Sequence, residues 1–159
     1  VIMIYKENYI QGNYSKGKII KPLGVVLHHI YLDRNTIIDL FTNGNVSAHV
    51  VIWKDGSRTV FGKDNKRLWH AGKSEFKDKS GCNNFMLGVE FEGNTNIEPL
   101  TFNQLSSFQE WFIPRMLKHD IKQDWITTHM RVAPSRKIDI SEKEFSKIRN
   151  ILNNIYEVA

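Results

Sequence analysis

Between residues 24 and 30 the chain reads GVVLHHI, an apolar, β-branched run that opens on Gly24 after Pro22. A short continuous run of this kind predicts a buried strand. MLGVEFEG at 86–93 repeats the pattern, and ITTHM at 126–130 is a shorter example. HVVIW (49–53) and SRTVFG (57–62) flank Asp55-Gly56, and Asp-Gly favours a tight hairpin turn because glycine accepts positive φ without steric cost. Elsewhere the spacing of apolar positions becomes helical. Asn35 to Asn43 reads as a helix stopped before Gly44. Leu105, Phe108 and Phe112 follow a capping box at Thr101 and Gln104, and Phe145, Ile148, Ile151, Leu152 and Ile155 follow another at Ser141 and Glu144. Pro114 is expected to kink or end the first of these helices. No repeat, low-complexity tract or linker interrupts the pattern. It predicts an α/β fold in which residues 1–159 form a single domain, with a central mixed β-sheet of about five to six strands flanked by α-helices.

A chain of 159 residues with 41% hydrophobic content can bury one core. No apolar run approaches the ~18–20 residues that span a bilayer. The N-terminus also lacks the charged, apolar, small-residue succession of a secretory signal, so membrane insertion is not expected. Cys82 is the only cysteine. It allows no internal disulfide and favours synthesis in the cytoplasm. Lys and Arg outnumber Asp and Glu by 22 to 17, for a net charge of +5, which suits an anionic partner. The basic residues are scattered in small groups (Lys16, Lys18 and Lys21; Lys63, Lys66 and Arg67; Lys77 and Lys79), and without a continuous stripe no nucleic-acid partner is expected. A monomer is expected.

Residues 126–140, ITTHMRVAPSRKIDI, gather His129, Arg131, Arg136, Lys137 and Asp139 around a proline. Such a cluster does little for stability, since exposed ion pairs are worth ~0–1 kcal/mol and buried ones often fail to recover their desolvation. Chemistry is the better reason for it. The chain has six histidines, and His28 and His29 end an apolar strand, where successive side chains face opposite ways. Two imidazoles and a carboxylate from separate elements can fill three corners of a tetrahedron around Zn²⁺ and leave the fourth for water. Strand-end histidines also commonly bond a backbone carbonyl, and residue types alone leave both readings open.

Several segments, in order, resemble the zinc-dependent N-acetylmuramoyl-L-alanine amidases of the AmpD type, in the superfamily of phage amidases, endolysins and peptidoglycan recognition proteins. They are VVLHHI, VSAH (46–49), the KDG hairpin, RLWHAG (67–72), CNN (82–84), LGVEFEG (87–93) and THMRVAPSRKID (128–139). The likeness extends from about Gly24 to Asp139. It implies that His28, His129 and Asp139 bind Zn²⁺, that Glu90 is the catalytic acid–base, and that Lys137 stands beside the metal. It also implies that His29, Trp69, His70 and Ala133 border the substrate groove. The AmpD type usually has asparagine where this chain has His29, and Pro-Gly where it has Ile140-Ser141. Among the other candidates, His49 reads as a satisfied core histidine, His119 as a surface residue and Cys82 as a buried thiol. Glu92 reads as an ordinary exposed or hydrogen-bonded acid.

The function implied by the resemblance is zinc-dependent hydrolysis of the amide between N-acetylmuramic acid and L-alanine, with peptidoglycan or a muropeptide as the substrate. A compact basic chain leans toward a lytic enzyme of the phage endolysin kind, made in the cytoplasm and reaching the bacterial cell wall through phage lysis functions. The alternatives are a cytoplasmic amidase that recycles anhydro-muropeptides and a peptidoglycan-binding module without catalysis. Two histidines and a carboxylate also make the facial triad of non-haem iron oxygenases.

Overall fold

Six strands pair into one mixed sheet in the computed structural model, which describes residues 3–159. The first half of the chain contributes β1 (Glu7–Tyr9), β2 (Tyr14–Ile19), β3 (Gly24–Ile30), α1 (Arg34–Asn43), β4 (Val50–Ile52), β5 (Arg58–Val60) and β6 (Lys66–Leu68). A small hairpin of β7 (Glu75–Phe76) and β8 (Lys79–Ser80) leads through a 3₁₀ turn at Cys82–Asn84 into β9 (Met86–Glu92). α2 (Phe102–His119), β10 (Ile126–Thr128), the one-turn α3 (His129–Val132) and α4 (Glu142–Val158) complete the domain. The sheet order is β1-β5-β4-β9-β3-β10. Only the β4–β5 pair is antiparallel, joined by the expected Asp-Gly turn with Gly56 at φ 90°. No helix among the described residues is long and apolar enough to cross a membrane.

β3 and β9 read as apolar runs because both of their faces are covered, as parallel strands require. Val25, Leu27, Leu87, Val89 and Phe91 pack with α2 and α4 on one face. On the other, Ile37 and Phe41 of α1 meet Val51, Trp53 and Leu68. Burying each such aliphatic side chain contributes about 1.5–3 kcal/mol before chain entropy is counted. The strands pair with His28 opposite Glu90, His29 opposite Phe91 and Ile30 opposite Glu92. That register places His28 and Glu90 side by side on the face opposite α2 and α4, at the carboxyl ends of the parallel strands.

Four details differ from the sequence-based expectation. α2 runs through Pro114 to His119. Pro114 is exposed, while buried Trp111, Phe112 and Met116 hold the helix to the core on both sides of it. The fifth strand ends at Thr128, two residues early, because the Thr128 side chain caps α3 by accepting from Arg131 N. At α4, Ser141 accepts from Glu144 N. The Glu144 carboxylate, however, takes Leu100 N at 2.8 Å instead of closing a capping box. His119 is mostly buried in the last turn of α2, with Nε2 2.8 Å from Asp64 Oδ2.

The edge strand β1 was not foreseen, and it is held by charge. Arg58, buried on β5, donates to Glu7 Oε1 at 2.8 Å and to Glu110 Oε1 at 3.0 Å. Glu110 in turn accepts from the backbone of Ile4 at 2.8 Å. We expect Arg58→Ala to lower stability by about 3–5 kcal/mol in urea unfolding, because it strands two carboxylates beside the sheet. A loss below about 1 kcal/mol would show that the N-terminal segment is held by other contacts.

Candidate metal and catalytic site

Three elements deliver the central cluster. His28 lies near the end of β3, His129 opens α3 directly after β10, and Asp139 ends the loop that follows α3. That loop is drawn back to α3 by Met130 N donating to Asp139 O at 2.6 Å, and by Arg136 N and Lys137 N both donating to Ala133 O at 3.0 Å. His28 Nδ1 lies 2.9 Å from His129 Nδ1. Asp139 Oδ2 is 3.3 Å from His129 Nδ1 and 3.6 Å from His28 Nδ1. All three residues are buried, with relative exposures of 1%, 6% and 7% for His28, His129 and Asp139.

The donor set fits a small divalent cation. A tetrahedral ion with ligands at ~2.0–2.1 Å needs ligand atoms ~3.3 Å apart, and the three observed separations straddle that value. His129 Nε2 lies 3.1 Å from Ala71 O. A carbonyl can only accept, so this nitrogen carries hydrogen and donates. That leaves His129 Nδ1 bare toward Asp139 Oδ2, and a cation among the three atoms would relieve this contact away from water. Cys82 takes no part, being buried with Val26, Ala71 and Met86.

Glu90 Oε1 stands 3.7 Å from His28 Nδ1. Burial and then the negative charge of Asp139 push the Glu90 carboxyl well above its ordinary range, against the pull of Lys137. His28 falls to about 4, chiefly through burial, although the Asp139 carboxylate, which would accept from a protonated ring, works the other way. For Asp139 burial acts upward, but the two adjacent imidazoles, by bonding and charge when they are protonated, hold it well below the usual carboxylate range.

A cavity of about 220 Å³ gathers His28, His29, Trp69, His70, Glu90, His129, Lys137 and Asp139. Eight of the nine residues singled out from the sequence therefore share one site. The exception is Ala133, whose side chain lines a separate cavity of about 620 Å³ together with Arg136. His29 reaches the rim with Nδ1 2.8 Å from Thr95 Oγ1. Trp69 is partly exposed under the Arg67 guanidinium, 4.7 Å from its ring centroid. Glu92 lies outside the cavity and accepts from Lys54 N at 2.8 Å. His49 is a satisfied core residue, with Nδ1 accepting from Gly88 N at 2.9 Å and Nε2 2.8 Å from Lys66 O. Sequence reasoning gave no role to Asn83, whose Oδ1 accepts from both His70 N and Ala71 N at 3.1 and 2.9 Å. Its place within CNN was the available signal.

A profile of the N-acetylmuramoyl-L-alanine amidase family matches residues 19–142. The chain belongs to this family. Over 95 residues it is 41% identical to the 1,6-anhydro-N-acetylmuramyl-L-alanine amidase AmpD of Haemophilus influenzae, across 59% of this chain and 51% of that protein. The chain spans about half the length of the curated relatives it matches. Among solved amidase structures, a selenomethionine AmpD derivative superposes with a TM-score of 0.76 at 23% identity, covering 92% of this chain and 96% of that one. The N-acetylmuramoyl-L-alanine amidase LysC from Clostridium intestinale gives 0.72 at 22% identity, covering 93% and 97%. At these identities the superpositions carry the fold alone, and the fold they carry is the single mixed-sheet domain described above.

The buried histidines make the metal-free chain acid-sensitive. Burial lowers His49 from 6.5 to about 4, so the unfolded chain binds its proton first as the pH falls. Stability from this group is complete above about pH 6.5 and is lost as pH drops toward 4, at up to about 1.4 kcal/mol per pH unit. In excess chelator, urea unfolding should show stability falling through this window, and His49→Gln should shallow the slope by about one proton. An unchanged slope would mean that His49 titrates normally in the fold.

Proposed function

We propose that this domain is a zinc-dependent amidase that hydrolyses the bond between N-acetylmuramic acid and L-alanine in peptidoglycan or its fragments. The observation that carries the reading is the convergence of His28, His129 and Asp139 within one cavity beside Glu90 and Lys137. Membership of the amidase family supports it. His28 and His129, through Nδ1, and Asp139, through Oδ2, would hold the ion. Zinc at such a site supplies Lewis acidity toward a carbonyl and lowers the pKa of water from about 15.7 to about 7.

The remaining chemistry belongs to the chain. Glu90 sits on β9, buried beside His28, where it would take a proton from the attacking water and return it to the leaving alanine nitrogen. Lys137 offsets the charge that grows on the scissile carbonyl oxygen, a contribution of ~3–4 kcal/mol from one donor in comparable sites. The cluster is held by β3, β9 and a hydrogen-bonded loop, so little reorganisation accompanies the reaction. The net charge of +5 draws the carboxylates of stem peptides toward the cavity.

Two substrates compete within this reading. A compact basic domain suits lysis of intact wall, as in an endolysin. The name borne by the Haemophilus influenzae relative favours soluble anhydro-muropeptides instead. Rates on intact sacculi and on purified anhydro-muropeptides separate the two. A domain that only binds peptidoglycan would release no amine from either.

Glu90→Ala is expected to lose amine release from purified peptidoglycan by 10²-fold or more while retaining one zinc per chain, and His129→Ala to lose both. Turnover by Glu90→Ala at the wild-type rate would refute its role as base. Lys137→Ala should lower kcat by about 10²–10³-fold with metal content unchanged. An unaltered kcat would remove Lys137 from the mechanism.

A further inference from the structure

We infer that His70 is a positioning residue which fixes the tautomer of His28, so that His28 presents a bare Nδ1 to the metal site. This differs from the groove role that the family resemblance implies for His70, and it rests on the proposed metal site.

The argument follows one chain of hydrogen bonds inward from the backbone. His70 Nε2 lies 3.0 Å from Met86 O. That carbonyl can only accept, so His70 Nε2 carries the hydrogen and His70 Nδ1 is bare. His70 Nδ1 lies 3.1 Å from His28 Nε2. Facing a bare nitrogen, His28 Nε2 must be the donor, and His28 Nδ1 is left without hydrogen. This is the atom that faces His129 Nδ1 and Asp139 Oδ2. The polarity of the chain cannot reverse, because it ends in a main-chain oxygen on β9. Both nitrogens of His70 are thereby engaged, which leaves it no polar group for a substrate.

The placement of His70 is itself built in. Asn83 Oδ1 accepts from the backbone of His70 and Ala71, pinning the segment. Gly88 lies beneath the ring, where a Cβ would come within 2.4 Å of His70 Cγ. The next residue performs the same service for the second ligand, since Ala71 O accepts from His129 Nε2. One dipeptide thus sets the orientation of both imidazoles. Partners of this kind typically change metal affinity by ~10–100-fold when removed.

The test uses the full chain, zinc alone and a competing chromogenic chelator. His70→Phe keeps the ring shape and removes the acceptor, and it is expected to weaken zinc binding tenfold or more. His70→Asn returns an acceptor oxygen near the place of Nδ1 and should bind within about threefold of wild type. In parallel, ¹⁵N correlation spectra of the metal-free chain should show His28 protonated at Nε2 in wild type and mixed tautomers in His70→Phe. Wild-type zinc affinity in His70→Phe, or equal losses in both variants, would overturn the inference. So would hydrogen on His28 Nδ1 in the metal-free wild type, a reading that stands even if His70→Phe does not fold. Failure of the wild type to take up zinc would sink the functional proposal, while the ring-nitrogen spectra would still decide this one.

Discussion

The parallel pairing of β3 with β9 is the constraint on which the site depends. Side chains alternate across a sheet with a period of two, so a slip of one residue would turn His28 toward α2 and α4 and replace it with His29. What prevents the slip is the core itself. Val25 and Leu27 must share a face with Leu87, Val89 and Phe91, and any shift would drive apolar groups out of contact with both helices. Packing far from the chemistry therefore enforces the adjacency of His28 and Glu90, and β10 then only has to bring His129 alongside.

Holding this many polar groups inside opposes stability. His28, His49, His70 and His129 are all buried, together with Glu90 and Asp139. Each must exchange its bonds to water for bonds within the protein. His49 achieves this through two backbone partners, and His70 through Met86 O and His28 Nε2, whereas the three central atoms face one another with lone pairs unmatched. The tension is concentrated at one point and relieved everywhere around it, as expected where a fold retains an unfavourable arrangement for the sake of a ligand.

Much of this was legible in the sequence because it depends on local pattern. The buried strands, the Asp-Gly turn and the Thr101 cap each follow from a few neighbouring residues. The proposed metal triad does not, and it is the ordered motifs of a family rather than periodicity that point to it. The misses have tertiary causes. Pro114 fails to end α2 because apolar side chains on both sides of it are anchored, which no propensity records. β1 has three exposed residues and no hydrophobic pattern, since its attachment is a buried arginine 51 positions away. His119 reads as a surface residue because its partner Asp64 is distant in sequence. Asn83 has no periodicity to betray it, and its value lies in two backbone N–H groups that a fold must first bring to it.

Both outermost strands of the sheet, β1 and β10, are three residues long. An open sheet with long bare margins invites a neighbouring molecule to continue its hydrogen-bond ladder, the first step of edge-to-edge aggregation. Here the margins are too brief to template such growth, and charge on one side and a helical turn on the other close them off. Continuation of the ladder by a second molecule is therefore disfavoured at both margins.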